Sequence, residues 1–189
     1  MIKVGLVGED PNDTSSIKNL LEQRYNGKVQ FKELTKNSTG ANLDSLGKFK
    51  RVLKKKFDDS NCSFIVYVRD LDELESHKEK LSERIKWFKD LNDHVNSDGI
   101  LMLNIWELEA LILGDIETFN KMYNVSHKPG NPMFVRDPKK VLIDITSKNR
   151  KQFKESHCPD IFKQLSIDKV ERNCSCFKKF IAEFNEKLN

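Results

Sequence analysis

Four carboxylates stand where two apolar runs of this chain end. Residues Ile2 to Val7 read as a strand and give way to Gly8-Glu9-Asp10-Pro11-Asn12-Asp13. Ser63 to Val68 read as a second strand and give way to Arg69-Asp70-Leu71-Asp72-Glu73. Carboxylates crowded into one volume raise each other's pKa unless a cation neutralises them. For an all-oxygen set the fitting cation is Mg²⁺ or Mn²⁺. Glu9, Asp13, Asp70 and Asp72 are therefore candidate metal ligands, and the chemistry such a site supports is that of phosphate groups.

A third acidic pair, Glu107 and Glu109, follows the apolar run Ile100 to Ile105 and falls on the same rim. If the helix begins at Glu107, the two side chains diverge by about 200°, so one of them can face the site. Glu107, nearer the strand end, is the better candidate. Asp70 and Asp72 can share a face if their strand persists, since side chains alternate along it. The bland alternative is helix capping, with Asp13 and Asp72 each capping the helix that follows. It explains those two residues and leaves Glu9 and Asp70 without a reason.

The elements that must hold these acids alternate. Asp13 to Tyr25 is expected as a helix, N-capped by Asp13 or Thr14 and stopped by Gly27. Lys28 to Leu34 alternates as a strand should, and Lys36 to Asn42 reads as a polar turn. Leu43 to Phe57 reads as a basic amphipathic helix and Glu73 to Val95 as a long helix. Strands alternating with helices of this length predict an α/β fold with a mainly parallel, four-stranded, Rossmann-like sheet. Residues 1–115 form that core in this reading. Residues 116–189 form a helical C-terminal extension packed on it as part of one compact unit. In the second half of the chain, helices are expected over Glu107 to Leu113, Ile116 to Tyr123 and Cys176 to Leu188. Asn124 to Arg136 is expected as a loop, and Asp137-Pro138 as another helix start.

Bulk properties are permissive. The 189 residues carry a net charge of +4, which implies no global field for polyanions. Lysine and arginine nonetheless cluster at Lys48 to Lys56 and Lys148 to Lys154, read first as solvated helix faces and second as phosphate contacts. No run approaches the roughly 20 apolar residues of a membrane span. The opening has no signal-peptide form, so a cytoplasmic protein with thiols rather than disulfides is expected. Cys158 with Cys174-Ser175-Cys176 invites zinc, but a single intervening residue departs from the usual ligand spacing. Simple packing at a helix start is preferred. Trp87 and Trp106 are read as core residues ahead of partner contacts.

Glu9 with Asp13, followed by Asp70-Leu71-Asp72, resembles the Glu-x-x-x-Asp and Asp-x-Asp signatures of the Toprim family, which includes topoisomerases, bacterial primases and OLD-type nucleases. In that family a glycine follows the glutamate; here Gly8 precedes Glu9, and Asp10 takes the glycine position. The resemblance extends to small stand-alone bacterial Toprim-like proteins found beside ATPase genes in phage-defence settings. It rests on Trp106–Leu113, Asp137-Pro138-Lys139 and Cys174–Phe180. It implies a Mg²⁺- or Mn²⁺-dependent nuclease hydrolysing phosphodiester bonds, with DNA ahead of RNA as substrate. An ATPase partner and a homodimer are both compatible with it. By the same resemblance Glu9 is general base or metal ligand, Asp70 and Asp72 bind the metal, and Asp13 assists through water. Lys139, ahead of Lys151, offsets the charge of the phosphorane. Two rivals stay open: a non-catalytic Toprim-like binding or regulatory module, and a receiver-like phosphoacceptor domain with Asp70 as the acceptor.

Overall fold

The computed structural model describes residues 1–35, 46–128 and 130–189. Four parallel strands form one sheet in the order β2-β1-β3-β4, with β1 at Ile2–Val7, β2 at Val29–Glu33, β3 at Phe64–Asp70 and β4 at Ile100–Asn104. The α/β class and the four-stranded parallel sheet are as the sequence predicts. Helix α1 (Pro11–Tyr25) links β1 to β2, α2 (Leu46–Asp58) lies between β2 and β3, and α3 (Lys78–Val95) links β3 to β4. The expected turn over Lys36 to Asn42 lies outside the described residues, as does the start of the expected helix at Leu43.

The central strands are buried on both faces, and their alternation sorts side chains into two cores. Val4, Leu6, Phe64, Val66 and Val68 join a large cluster with Ile17 and Leu20 of α1. Val7, Ile65 and Tyr67 point the other way, against Leu53 of α2 and Trp87 and Leu91 of α3. The sheet is thus wound in both directions from β1: outward to β2 over one face and to β3 over the other. The crevice between β1 and β3, at their carboxyl ends, is the switch point where such sheets bind ligands.

The remaining helices are α4 (Ala110–Gly114), α5 (Ile116–Tyr123), α6 (Pro138–Thr146), α7 (Cys158–Phe162), α8 (Ile167–Asn173) and α9 (Ser175–Leu188). They do more than extend the core. The ring of Phe184 in α9 lies 4.9 Å from Tyr25, 6.2 Å from Phe31 and 5.9 Å from Phe64, so the last helix covers the α1 face of the sheet. Cys174 is buried at the N-terminal boundary of α9, in line with the packing role expected of it. All four cysteines are free. Trp87 is buried, whereas Trp106 is half-buried under Arg136, whose guanidinium lies 5.9 Å from its ring centroid.

Candidate acidic site at the switch point

Residues Val4 to Val7 pair with Phe64 to Tyr67, and Val66 to Asp70 with Ile100 to Asn104, so three strands end on one rim. A cavity of about 350 Å³ opens there. It is lined by Glu9, Asp10, Asn12, Asp13, Asp70, Asp72, Glu107, Glu109, Lys139, Glu155 and Cys158. The structure therefore brings together every residue the sequence nominated for the site except Lys151. That lysine lies elsewhere, its ammonium 4.7 Å from the ring centroid of Tyr123.

The first turn is tighter than expected. Asp10, not Asp13 or Thr14, caps α1: its carboxylate accepts from the Asn12 N–H at 2.7 Å, with Pro11 opening the helix. Asp13 is left free of capping duty in the first turn. Gly8 takes on the close approach: a Cβ there would stand 2.8 Å from Cγ2 of Thr14.

After β3 the strand does not persist. Asp72 takes a left-handed backbone (φ 59°), and α3 starts only at Lys78, capped by the His77 ring rather than by Asp72. Asp72 reaches the cavity through that bend, while its Oδ2 lies 2.6 Å from Nη2 of buried Arg84. Capping alone thus accounts for neither Asp13 nor Asp72.

After β4 the expected helix at Glu107 is also displaced. Trp106 turns the chain with φ 61°, and the helix begins at Ala110. Helical divergence consequently does not separate the two acids, and both reach the cavity. Glu109 is the more buried, at 5% exposure. Glu107 accepts from the Lys139 N–H at 3.2 Å and lies 3.5 Å from its ammonium. Asp137 stands before α6 as expected, but in a left-handed conformation, and its side chain accepts no capping hydrogen bond.

Eight carboxyl side chains line this cavity, with Lys139 the one basic side chain of the described lining. Burial pushes Asp13 up to about 7, reinforced by Asp10, Glu109 and Glu9. Glu109 is likewise raised to about 7, by burial against the pull of Lys139. Asp70 is half-buried, and its carboxyl stands well above the usual carboxylate range, from desolvation and then from Asp13. Its Oδ1 accepts from Nδ2 of Asn104 at 2.8 Å. Burial also raises Glu9, with Arg69 and then Arg84 opposing. The Glu9 carboxylate lies 2.6 Å from Nε of Arg69 and accepts from the Asp70 N–H. Lys139 bridges to Glu155 at 2.5 Å, and its carboxylate neighbours raise its pKa against the effect of burial.

Four acids are thus held by cations, namely Glu9, Asp72, Glu107 and Glu155. Asp13, Asp70 and Glu109 are not, and they are the most perturbed. Among the described residues no group of three or more His, Cys, Asp or Glu is already arranged to hold a metal ion. The donor chemistry nonetheless fits a hard divalent ion, since oxygen ligands dominate and Asp13, Asp70 and Glu109 raise one another's pKa with only Lys139, acting on Glu109, to oppose it. Sequence reasoning set Glu109 aside in favour of Glu107 and missed Asp10, Asn12, Glu155 and Cys158 as parts of this site. The Asp-Pro pair at 10–11 was the available signal for the cap; nothing local marks Glu155 or Cys158, which come from a distant part of the chain.

The fold and this rim define a doubly wound α/β protein with an acid-lined switch-point crevice. Residues 8–185 match the family described as Domain of unknown function (DUF4276), and the chain belongs to that family. No curated protein and no solved structure matches the chain.

Proposed function

We propose that the chain is a Toprim-like, Mg²⁺- or Mn²⁺-dependent nuclease that hydrolyses phosphodiester bonds in DNA. The observation supporting this is the gathering of acids from three strand ends, with Lys139, around one cavity at the switch point. Asp70, Asp13 and Glu109 are the residues to hold the ion, with Asp72, Glu9 and Glu107 able to join when released from their cations. The ion supplies neutralisation of the phosphate and activation of water. Glu9, with its carboxyl raised by burial, takes the proton of the attacking water. Lys139 faces the charge that builds on the equatorial oxygens, a cation already fixed in place by Glu107 and Glu155.

A cytoplasmic place of action, in phage defence beside an ATPase partner, belongs to the same reading. No described helix is long and apolar enough to cross a membrane. The test is a Mn²⁺-dependent cleavage assay on supercoiled DNA, linear DNA and tRNA, run beside a variant with Asp70→Ala and Asp72→Ala. Cleavage by the natural chain and none by the variant supports the proposal. Nucleic-acid binding without cleavage by either protein favours the non-catalytic module.

A further inference from the structure

The outer edge of β4 is not built for water. Among the described residues β4 pairs with β3 on one side and with no strand on the other. Edge strands are normally blunted by charge or proline, because their unpaired N–H and C=O groups template another chain. β4 reads Ile100-Leu101-Met102-Leu103-Asn104 and has neither. A groove of about 280 Å³ runs beside it, lined by Leu81, Ile85, Phe88, Leu101 and Leu103. Ile85 is 37% exposed, and the two leucines of the strand are only half-buried.

Four charged side chains border the groove: Glu75 and Lys89 on the α3 side, Lys179 and Glu183 on the α9 side. None has an ion-pair partner among the described residues. Their order along the strand is fixed by the helices. α9 runs against β4, since Cys176 sits by Ile105 at the strand's carboxyl end and Lys187 reaches Asp98, before its amino end, at 2.6 Å. Lys179 therefore lies nearer the carboxyl end than Glu183. α3 also runs against β4: Arg84 holds the Asp70 carbonyl at 2.9 Å, and Asn92 accepts from the Gly99 N–H at 2.8 Å. Glu75 then lies at the carboxyl end and Lys89 towards the amino end.

We propose that this edge binds a second copy of the chain, β4 against β4 and antiparallel, to make one continuous eight-stranded sheet. A two-fold axis normal to the sheet near Met102 reverses the second strand and makes the surface self-complementary. Glu75 of one copy then meets Lys89 of the other, and Lys179 meets Glu183. The apolar side chains of the two grooves bury each other, and the two acidic crevices open at opposite ends of the joint sheet.

Light scattering on the full chain tests this. The expected mass is twice the 22.0 kDa of one chain. Leu101→Lys should leave a monomer with an unchanged circular-dichroism spectrum. Lys179→Glu should raise the dimer dissociation constant about tenfold. Adding Glu183→Lys to it should restore the natural value, an outcome that keeps the test valid if Leu101→Lys fails to fold. A natural chain that stays at 22.0 kDa throughout overturns the proposal, and so does a dimer indifferent to all three changes. Either result assigns the edge to a different chain or to none.

Discussion

Asn104 donates its side-chain amide to Oδ1 of Asp70 at 2.8 Å, joining the ends of β3 and β4 beneath the acid crevice. Asn104 is buried and Asp70 half-buried, and this bond favours the ionised form of an acid whose pKa desolvation and Asp13 raise. Asn104→Ala should raise the Asp70 pKa further. Any melting-temperature rise produced by Mn²⁺ should then require a higher pH than in the natural chain. A metal response with the same pH profile in both proteins would refute this role.

Metal itself should stabilise the fold. An ion that binds the native state alone adds about 2.7 kcal/mol when its concentration is about 100 times Kd. Scanning calorimetry with and without Mg²⁺ or Mn²⁺ reads this directly. Asp70→Ala with Asp72→Ala should abolish the rise.

The metal-free protein should lose stability as pH rises. Asp13 and Glu109 sit near 7 when folded, against ordinary values of 3.8 and 4.5. Between roughly pH 4 and pH 7 the native state thus holds protons that the unfolded chain has released, so the stability they contribute falls across that window and levels off above it. Thermal melts in chelator should show this slope. Asp13→Asn with Glu109→Gln should flatten it.

Lys139 separates catalysis from stability. It is about one-third exposed, so losing its bridges to Glu107 and Glu155 should cost under about 1 kcal/mol. If the proposed chemistry holds, Lys139→Met should lower cleavage about 10²–10³-fold. Denaturant melts and cleavage rates on one preparation distinguish the two effects.

Arg69 is structural to the rim. Its guanidinium is buried, lies 2.6 Å from Glu9 and sits 5.0 Å from the Trp87 ring centroid. Arg69→Met leaves Glu9 without this cation and should cost about 3 kcal/mol, towards the low end for broken buried pairs because Glu9 is partly exposed. Urea unfolding followed by Trp87 fluorescence measures it.

The rim was legible because an apolar run that stops at an acid is a local pattern: Val7 before Glu9 and Val68 before Asp70 needed no knowledge of distant residues. Lys139 was reached through a motif resemblance rather than a spacing. Errors arose where the chain bends through left-handed residues. Positive φ at Asp72 and Trp106 delays the helices that follow, and no side-chain pattern announces a non-glycine residue in that conformation. That is why Glu109 was set aside and capping stood as an alternative reading of Asp72. The Asp-Pro rule was applied at 137–138, yet a side-chain cap forms at Asp10-Pro11, where the carboxylate does accept a backbone N–H. The short helices α7 and α8 escaped notice because five and seven residues show little period, although Pro159 and Ser166 mark their starts.

The aromatic cover that α9 places over Phe31 and Phe64 has a consequence for synthesis. A chain broken off before residue 150 already possesses most of the crevice acids but lacks the cover of α9 over Phe31 and Phe64. Such a fragment would expose apolar surface and be prone to aggregate. Only when the phenylalanines of α9 are in place does the crevice rest on a packed floor.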